Sequence, residues 1–161
     1  MLLNDGIPRV EDLIKISPSD ERLSKGAVAI VECFQEIPCN PCVKACKRGA
    51  ITMPHGINDI PVVDFDLCNG CSLCISMCPG LAIFVVDKAW SDLLARVLIP
   101  YEYLPVPEVG QFVTGLDRAG KELGSFEVIR VNSGGLKNKT WTVSVAVPQD
   151  LAMVLRGVRV V

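Results

Sequence analysis

The hydrophobic and polar positions divide the chain into three segments, each with its own pattern. In the first segment, residues 1–26, the apolar positions Val10, Leu13 and Ile14 are spaced for one face of a helix, with acidic residues in its first turn. The stretch SPSDERL that follows has the pattern of a helix cap and a second short helical turn. This segment is therefore predicted to be a helical N-terminal extension that packs over the neighbouring domain.

The middle segment, residues 27–88, contains an internal repeat. Each copy opens with a short β-rich run, AVAIVE at 27–32 and IPVVDFD at 60–66, continues with a group of cysteines and closes with a short apolar run. Counted from the second cysteine of each group, the copies stay in register as far as Ile51 and Ile83. Because neither copy is long enough to bury its apolar face alone, the two are predicted to pack against each other about a pseudo-twofold axis.

The last segment, residues 89–161, has no cysteine and is rich in β-branched residues. Residues 111–131 predict two strands joined by a tight turn, and residues 140–147 alternate as a half-buried strand does. Residues 148–155 predict one helical turn before a final strand, RGVRVV. Residues 93–110 mix apolar positions with prolines, and no regular element is predicted there. Short strands with Gly and Pro turns predict a small antiparallel β-barrel or sandwich, so the chain as a whole is predicted to be α+β.

Composition and charge exclude several classes of function. The chain has 161 residues, 50% of them hydrophobic, with a mean hydropathy of +0.38, so it can bury a core of ordinary size. Its formal net charge of −2 gives no excess of positive charge that would attract nucleic acid or an anionic membrane. The longest apolar run, LAIFVV, is too short to span a bilayer, and the start lacks the pattern of a signal peptide. We therefore expect a cytoplasmic protein whose partners are neither nucleic acid nor membrane.

The eight cysteines all lie in the middle segment. A secreted disulfide scaffold is usually smaller and spreads its cysteines along the chain, so this clustering favours metal binding in a reducing compartment. The second group, Cys68, Cys71, Cys74 and Cys78 followed by Pro79, has the C-x2-C-x2-C-x3-C-P spacing of iron–sulfur proteins. Zinc is the alternative metal, but its sites usually use two well-separated C-x2-C pairs rather than one compact run.

On these motifs, residues 27–86 resemble the bacterial two-[4Fe–4S] ferredoxin family. The resemblance implies a ferredoxin-like βαββαβ fold with two cubane clusters, in which the fourth cysteine of each copy binds the cluster of the other copy. It implies the following ligands: Cys33, Cys39, Cys42 and Cys78 for the first cluster, and Cys68, Cys71, Cys74 and Cys46 for the second.

The first copy departs from the family pattern in two places. Cys33 and Cys39 are six positions apart, whereas the family spacing would put the first ligand at position 36, which is Glu36. Either Cys33 binds the first cluster from the end of the preceding strand, or it is an ordinary buried cysteine and the site holds a [3Fe–4S] cluster or uses Glu36 as an oxygen ligand. No other cysteine is left unassigned, which favours Cys33. The second departure is Lys47, which stands where the family has proline; with Arg48 it adds positive charge near the second cluster and favours its reduced state.

The rest of the sequence contains no Gly-rich phosphate loop, nucleophile elbow or acid–base pair, so no catalytic site of its own is expected. Two cubane clusters in one domain indicate an electron-transfer protein. The sequence motif ECFQEIPCNPC…ACKRGAI, followed by a β domain, also resembles the small iron–sulfur subunits of FAD-dependent amine or amino-acid dehydrogenases of anaerobic bacteria. That resemblance implies a flavoprotein oxidoreductase partner in a hetero-oligomer, with the β domain as docking surface. The alternatives are a free soluble ferredoxin and a non-redox binding module whose clusters or zinc are structural.

Overall fold

The computed structural model describes residues 2–135 and 138–160, and it has the predicted α+β architecture. Met1 of the predicted extension and Val161 of the predicted last strand lie outside the described residues. Within those residues no helix has the length and hydropathy needed to cross a membrane. The helices are α1 (Leu2–Asp5), α2 (Val10–Ile16), α3 (Asp20–Leu23), α4 (Pro41–Ala45), α5 (Leu73–Met77) and one 3-10 turn (Gln149–Leu151). The strands are β1 (Val28–Val31), β2 (Ile51–Thr52), β3 (Val62–Val63), β4 (Ile83–Asp87), β5 (Leu94–Tyr101), β6 (Phe112–Leu116), β7 (Glu122–Asn132), β8 (Trp141–Pro148) and β9 (Gly157–Arg159).

The middle segment has the βαββαβ order that the ferredoxin resemblance implies, β1-α4-β2-β3-α5-β4. β1 pairs antiparallel with β4, and β2 pairs antiparallel with β3, so the outer strands of the repeat meet and the inner strands meet. α4 packs against α5. The two copies therefore lie against each other as the internal repeat predicts, with each cysteine group running from the end of a strand to the end of a helix.

β1 and β4 form the boundary between two hydrophobic cores. All their residues are buried, which explains why their sequences, VAIV and IFVVD, read as nearly continuous apolar runs instead of alternating ones. Val28 and Val86 face the larger core, which they share with the C-terminal strands. Val31 and Ile83 face the smaller core, which contains side chains of both cysteine groups. The strand pair thus joins the cysteine region directly to the C-terminal β region.

A seven-stranded antiparallel sheet in the order β1-β4-β5-β8-β7-β6-β9 continues across the middle and last segments. β7 changes partners along its length: its first half pairs with β6 and its second half with β8, and the register shifts between Val128 and Arg130. Val28 of β1 and Val158 of β9 belong to the same core, so the sheet curls around it. The predicted antiparallel β region is confirmed, but the described strand pairs form an open, curled sheet and not a closed barrel.

The strand β5 is an element that the sequence pattern does not predict. Its residue Pro100 reads as a strand breaker, because proline cannot donate a hydrogen bond to a neighbouring strand. In the structure, β5 pairs with β8 along its whole length but with β4 only over Arg96 to Leu98. Pro100 lies beyond the β4 ladder, where β5 has a partner on one side among the described strands, so its missing donor costs little there.

The N-terminal extension contains helices α1 to α3, and its contacts with the larger core come from residues outside the predicted apolar face. Val10 and Ile14, two of the three positions on the predicted apolar face, are 73% and 69% exposed. Ile16 at the end of α2 and Leu23 in α3 contact the larger core instead. Ser19 caps α3 with its hydroxyl oxygen. The extension is therefore anchored by the residues at its C-terminal end.

Candidate metal centres

The structure gathers the eight cysteines around two cavities, four at each. Each cavity takes three cysteines from one copy of the repeat and the fourth from the other copy. The first cavity is lined by Cys33, Cys39, Cys42 and Cys78, with Val31, Ile37, Met53 and Ile83 among the apolar neighbours. The second cavity is lined by Cys46, Cys68, Cys71 and Cys74, with Ala29, Ile51 and Leu73 among the apolar neighbours. These are the two sets that the resemblance to the ferredoxins implies.

The ends of the two short helices explain the exchange of the fourth cysteine. Cys46 and Cys78 are the C-cap residues of α4 and α5, and their backbones are already extended, with ψ of 90° and 111°. Cys42 and Cys74 lie within the same helices and are buried. Because α4 and α5 pack side by side, the residue that ends each helix lines the cavity whose other three cysteines come from the other copy.

One hydrophobic core surrounds both cavities. Ile51 lines the second cavity and Ile83 the first, and both belong to the same cluster as Ile75, which is completely buried. Of the eight cysteines, all of them within the described residues, only Cys71 is exposed. Burial of this kind lowers the local dielectric, which is one of the means by which a protein sets the potential of an iron–sulfur cluster.

The cavities disfavour free thiolates. Burial raises the pKa of Cys33 and of Cys42, and burial with the nearby charges of Cys68 and Cys71 raises the pKa of Cys74 to about 12. The thiolates of Cys33, Cys42 and Cys74 therefore need the positive charge of bound metal, and metal binding must displace their protons. Soft thiolate donors in sets of four fit an iron–sulfur cluster at each cavity.

Backbone N–H groups beside the β1–β4 strand pair donate hydrogen bonds to cysteine sulfur at each cavity. Ala29 N–H donates to Cys68 Sγ at 3.4 Å, and Ala82 N–H donates to Cys78 Sγ at 3.4 Å. Ala29 belongs to β1 and Ala82 directly precedes β4, so the paired strands supply both bonds. Hydrogen bonds to ligand sulfur favour the reduced form of a cluster, because they offset its added negative charge.

Arg22 of α3 holds the loop that carries Cys68. Its Nη2 donates to the Cys68 carbonyl at 2.6 Å and its Nε donates to the Phe65 carbonyl at 2.7 Å. The same guanidinium donates to the carbonyls of Gly26 and Ala27 at 3.1 and 3.3 Å. The sequence gives no signal for this role, because an arginine in a short helical turn is ordinarily a surface residue. The N-terminal extension thus holds in place a loop that lines the second cavity.

Replacing Arg22 with glutamine is expected to loosen the Cys68 loop. Hydrogen bonds from a charged donor contribute about 1.5–3 kcal/mol each, so we expect a loss of about 3 kcal/mol in the free energy of unfolding and a lower iron content at the second site. The measurement is thermal unfolding together with iron per chain. Lys25→Gln is the control, since the Lys25 ammonium pairs only with exposed Glu21 among the described residues; equal behaviour of the two variants would contradict the role of Arg22.

The residues at which the first copy departs from the family pattern lie differently with respect to the two cavities. Glu36 is exposed, and it is Gln35 and Ile37 on either side of it that line the first cavity. Lys47 is exposed directly after Cys46. Arg48 lines the second cavity, and its Nε donates to the Leu67 carbonyl at 2.7 Å. Positive charge therefore lies beside the second cavity, as the sequence predicts.

Comparison with known families identifies the middle segment. Residues 37–82 match the family described as the 4Fe–4S dicluster domain. The chain carries a ferredoxin-type 4Fe–4S dicluster domain. The match includes seven of the eight cysteines and begins after Cys33. The eight cysteines are consistent with two [4Fe–4S] clusters that have four ligands each.

Two curated proteins are similar to parts of this chain. The ferredoxin-type protein NapF of Haemophilus influenzae is 38% identical over 56 residues, which is 34% of this chain and 32% of NapF. The pyruvate synthase subunit PorD of Methanothermobacter marburgensis is 38% identical over 47 residues, which is 29% of this chain and 51% of PorD. The chain thus spans a third to a half of the relatives that it matches. No solved structure matches it significantly. This similarity supports the assignment of the matched region as an iron–sulfur electron-transfer domain.

Proposed function

We propose that this protein is a non-catalytic, cytoplasmic electron-transfer subunit of a larger oxidoreductase. When bound, its two [4Fe–4S] clusters each accept and release one electron at a time. Their proposed ligands are Cys33, Cys39, Cys42 and Cys78 for the first, and Cys46, Cys68, Cys71 and Cys74 for the second. The observation that carries this proposal is that two cavities, each lined by four cysteines drawn from both copies, lie within one buried core.

The position of Cys33 supports it as the fourth ligand of the first cluster. It follows the end of β1 by two residues and lines the cavity with the other three cysteines, whereas Glu36 is exposed. A strand end fixed by the sheet can deliver a thiolate across the lengthened spacing to Cys39. This arrangement favours a complete [4Fe–4S] cluster over a [3Fe–4S] cluster at the first site.

The partner that we propose is a flavoprotein that oxidises an amine or amino acid. Such a partner collects two electrons from its substrate on FAD and needs a one-electron outlet, which this chain would supply. The motif resemblance noted for the first cysteine group supports this class of partner, and the similarity to PorD, named as a subunit of pyruvate synthase, supports a place in an oxidoreductase complex. Exposed Cys71 offers a short route for electrons between the second cluster and a docked protein.

The loop between β5 and β6 supports a docked subunit over a freely diffusing ferredoxin. Tyr103, Leu104, Val109 and Phe112 in or beside this loop are 70%, 88%, 65% and 63% exposed. Large apolar side chains exposed close together in the chain are typical of a surface that binds another protein. The loop belongs to the β region, which lies outside the part of the chain that matches the dicluster family.

The test is anaerobic purification of the full chain under gentle conditions, with flavin content and the identity of co-purifying chains as readouts. A stoichiometric flavin-containing partner is expected; a monomer that exchanges electrons in solution would favour the free ferredoxin, and a colourless protein with stoichiometric zinc would favour the binding module.

Leu104→Asp is expected to abolish co-purification of that partner while both clusters remain. The reason is that a carboxylate placed in an apolar interface must be desolvated without a partner. Leu93→Asp is the matched control, because Leu93 is 82% exposed but lies at the opposite end of β5. If both variants keep the partner, the loop is not the docking surface.

A further inference from the structure

Glu32 lies between the end of β1 and Cys33, and its carboxylate is enclosed by two arginines. Its side chain is only 7% exposed. Arg118 makes a two-point contact, with Nε at 2.8 Å from Oε2 and Nη2 at 2.6 Å from Oε1. Arg156 donates from Nε to Oε1 at 2.6 Å. A fork of this kind fixes the orientation of a carboxylate more strictly than a single hydrogen bond does.

Both arginines belong to the C-terminal β region and are themselves held in place. Arg118 lies in the turn between β6 and β7, and its Nη2 also donates to the Met153 carbonyl at 2.8 Å. Arg156 directly precedes β9, and its Nη1 donates to the Leu155 carbonyl at 2.6 Å. The position of the Glu32 carboxylate is therefore set by residues far from it in the sequence.

Glu32 and Arg156 form a buried ion pair. Burial alone would raise the pKa of Glu32, but the hydrogen bonds and charges of Arg118 and Arg156 outweigh it and lower that pKa. Burial lowers the pKa of Arg156 to about 10, which still leaves it protonated at neutral pH. Buried ion pairs add little net stability, because the desolvation penalty offsets the attraction, so stability alone does not account for the arrangement.

The backbone path through Glu32 links the end of β1 directly to Cys33. Val31 is the last β1 residue paired with β4, opposite Ile83, and the next backbone bond runs from Glu32 N–H to the Ala82 carbonyl at 2.8 Å. The chain then leaves the ladder at Cys33, which lines the first cavity. Glu32 is thus held by both its backbone and its side chain immediately before the cysteine whose spacing departs from the family pattern.

We propose that Arg118 and Arg156 are positioning residues for the first iron–sulfur site. By clamping Glu32, they fix the end of β1 so that the Cys33 thiolate reaches the cavity despite the lengthened interval to Cys39. The C-terminal β region then helps to build the first metal site, in addition to carrying the loop that we propose as the docking surface. This inference rests on the proposed two-cluster function.

The test compares Arg118→Gln with the unaltered full chain after anaerobic cluster assembly. The expected result is the loss of one iron atom per chain and the appearance of an oxidised [3Fe–4S] EPR signal, with the reduced signal of the second cluster unchanged. Arg156→Gln is expected to give the same signature. Arg118→Lys, which keeps a cation beside Glu32, is expected to retain more of the fourth iron and serves as the better-folded variant if the glutamine variants are unstable.

Arg96→Gln is the matched control, because Arg96 forms the other largely buried ion pair in the described part of the sheet, with Asp87 at 2.9 Å. It is expected to leave both clusters complete. The inference is overturned if all Arg118 and Arg156 variants keep an intact first cluster, if both clusters lose iron equally, or if Arg96→Gln gives the same signal. An unaltered chain without iron–sulfur signals would instead refute the proposed function itself.

Discussion

Cys33→Ser is expected to convert the first cluster to [3Fe–4S] while the second cluster stays complete. Serine is nearly the same size as cysteine but lacks the soft thiolate that iron–sulfur clusters prefer, so the first site loses one ligand without a large change in packing. Cys33 lines only the first of the two cavities, which predicts that the effect is confined to that site. EPR spectra of the oxidised and reduced protein, together with iron per chain, measure both sites separately.

Glu36→Gln is the control for this experiment. Glu36 occupies the position where the family spacing puts a ligand, yet its side chain is exposed. The glutamine variant is expected to keep both clusters. Loss of the fourth iron in Glu36→Gln, with retention in Cys33→Ser, would show that an oxygen ligand completes the first site.

Gly70→Ala is expected to abolish the second cluster. Gly70 lies between Cys68 and Cys71 with a φ of +64°, and a Cβ there would overlap the Cβ of Ala27 and lie 2.7 Å from its carbonyl carbon. The loop would have to move away from the start of β1, and the cysteines on either side of it would move too. The measurement is iron per chain with the reduced EPR signal of each cluster.

Gly49→Ala separates steric contact from backbone strain. Gly49 has nearly the same φ, +66°, but a Cβ there would have no neighbour within 4 Å. Both variants incur the cost of a left-handed non-glycine residue, about 1–2 kcal/mol, whereas only Gly70→Ala adds the overlap with Ala27. Gly49→Ala is therefore expected to keep both clusters; similar iron loss in the two variants would mean that strain alone explains the result.

The local chemistry of the dicluster region could be predicted from the sequence because it depends on short-range spacing. The register between the two copies predicts that they pack against each other, and the resemblance to the ferredoxins implies the βαββαβ order. The interval from Cys68 to Cys78 predicts an iron–sulfur site without any knowledge of distant contacts. The strand pair β1 and β4 is also visible as two nearly continuous apolar runs, because both faces of these strands are buried.

The features that the sequence does not predict depend on contacts between distant residues. Glu32 and Arg156 read as surface charges until the sheet brings them together across more than a hundred positions. Arg22 reaches the Cys68 carbonyl through the turn of α3. Pro100 prevents the prediction of β5, because the sequence pattern does not show where the neighbouring strand β4 ends. Local propensity cannot encode these pairings, since each is set by tertiary packing.

This chain is expected to hold two redox-active [4Fe–4S] clusters in cavities built from both copies of its repeat. The most direct measurement is metal analysis and EPR on the anaerobically purified full chain, before and after reduction. The expected result is iron and sulfide for two cubane clusters and a reduced spectrum with two magnetically interacting [4Fe–4S] centres. Stoichiometric zinc, with no iron and no reducible signal, would contradict the presence of iron–sulfur clusters in this protein.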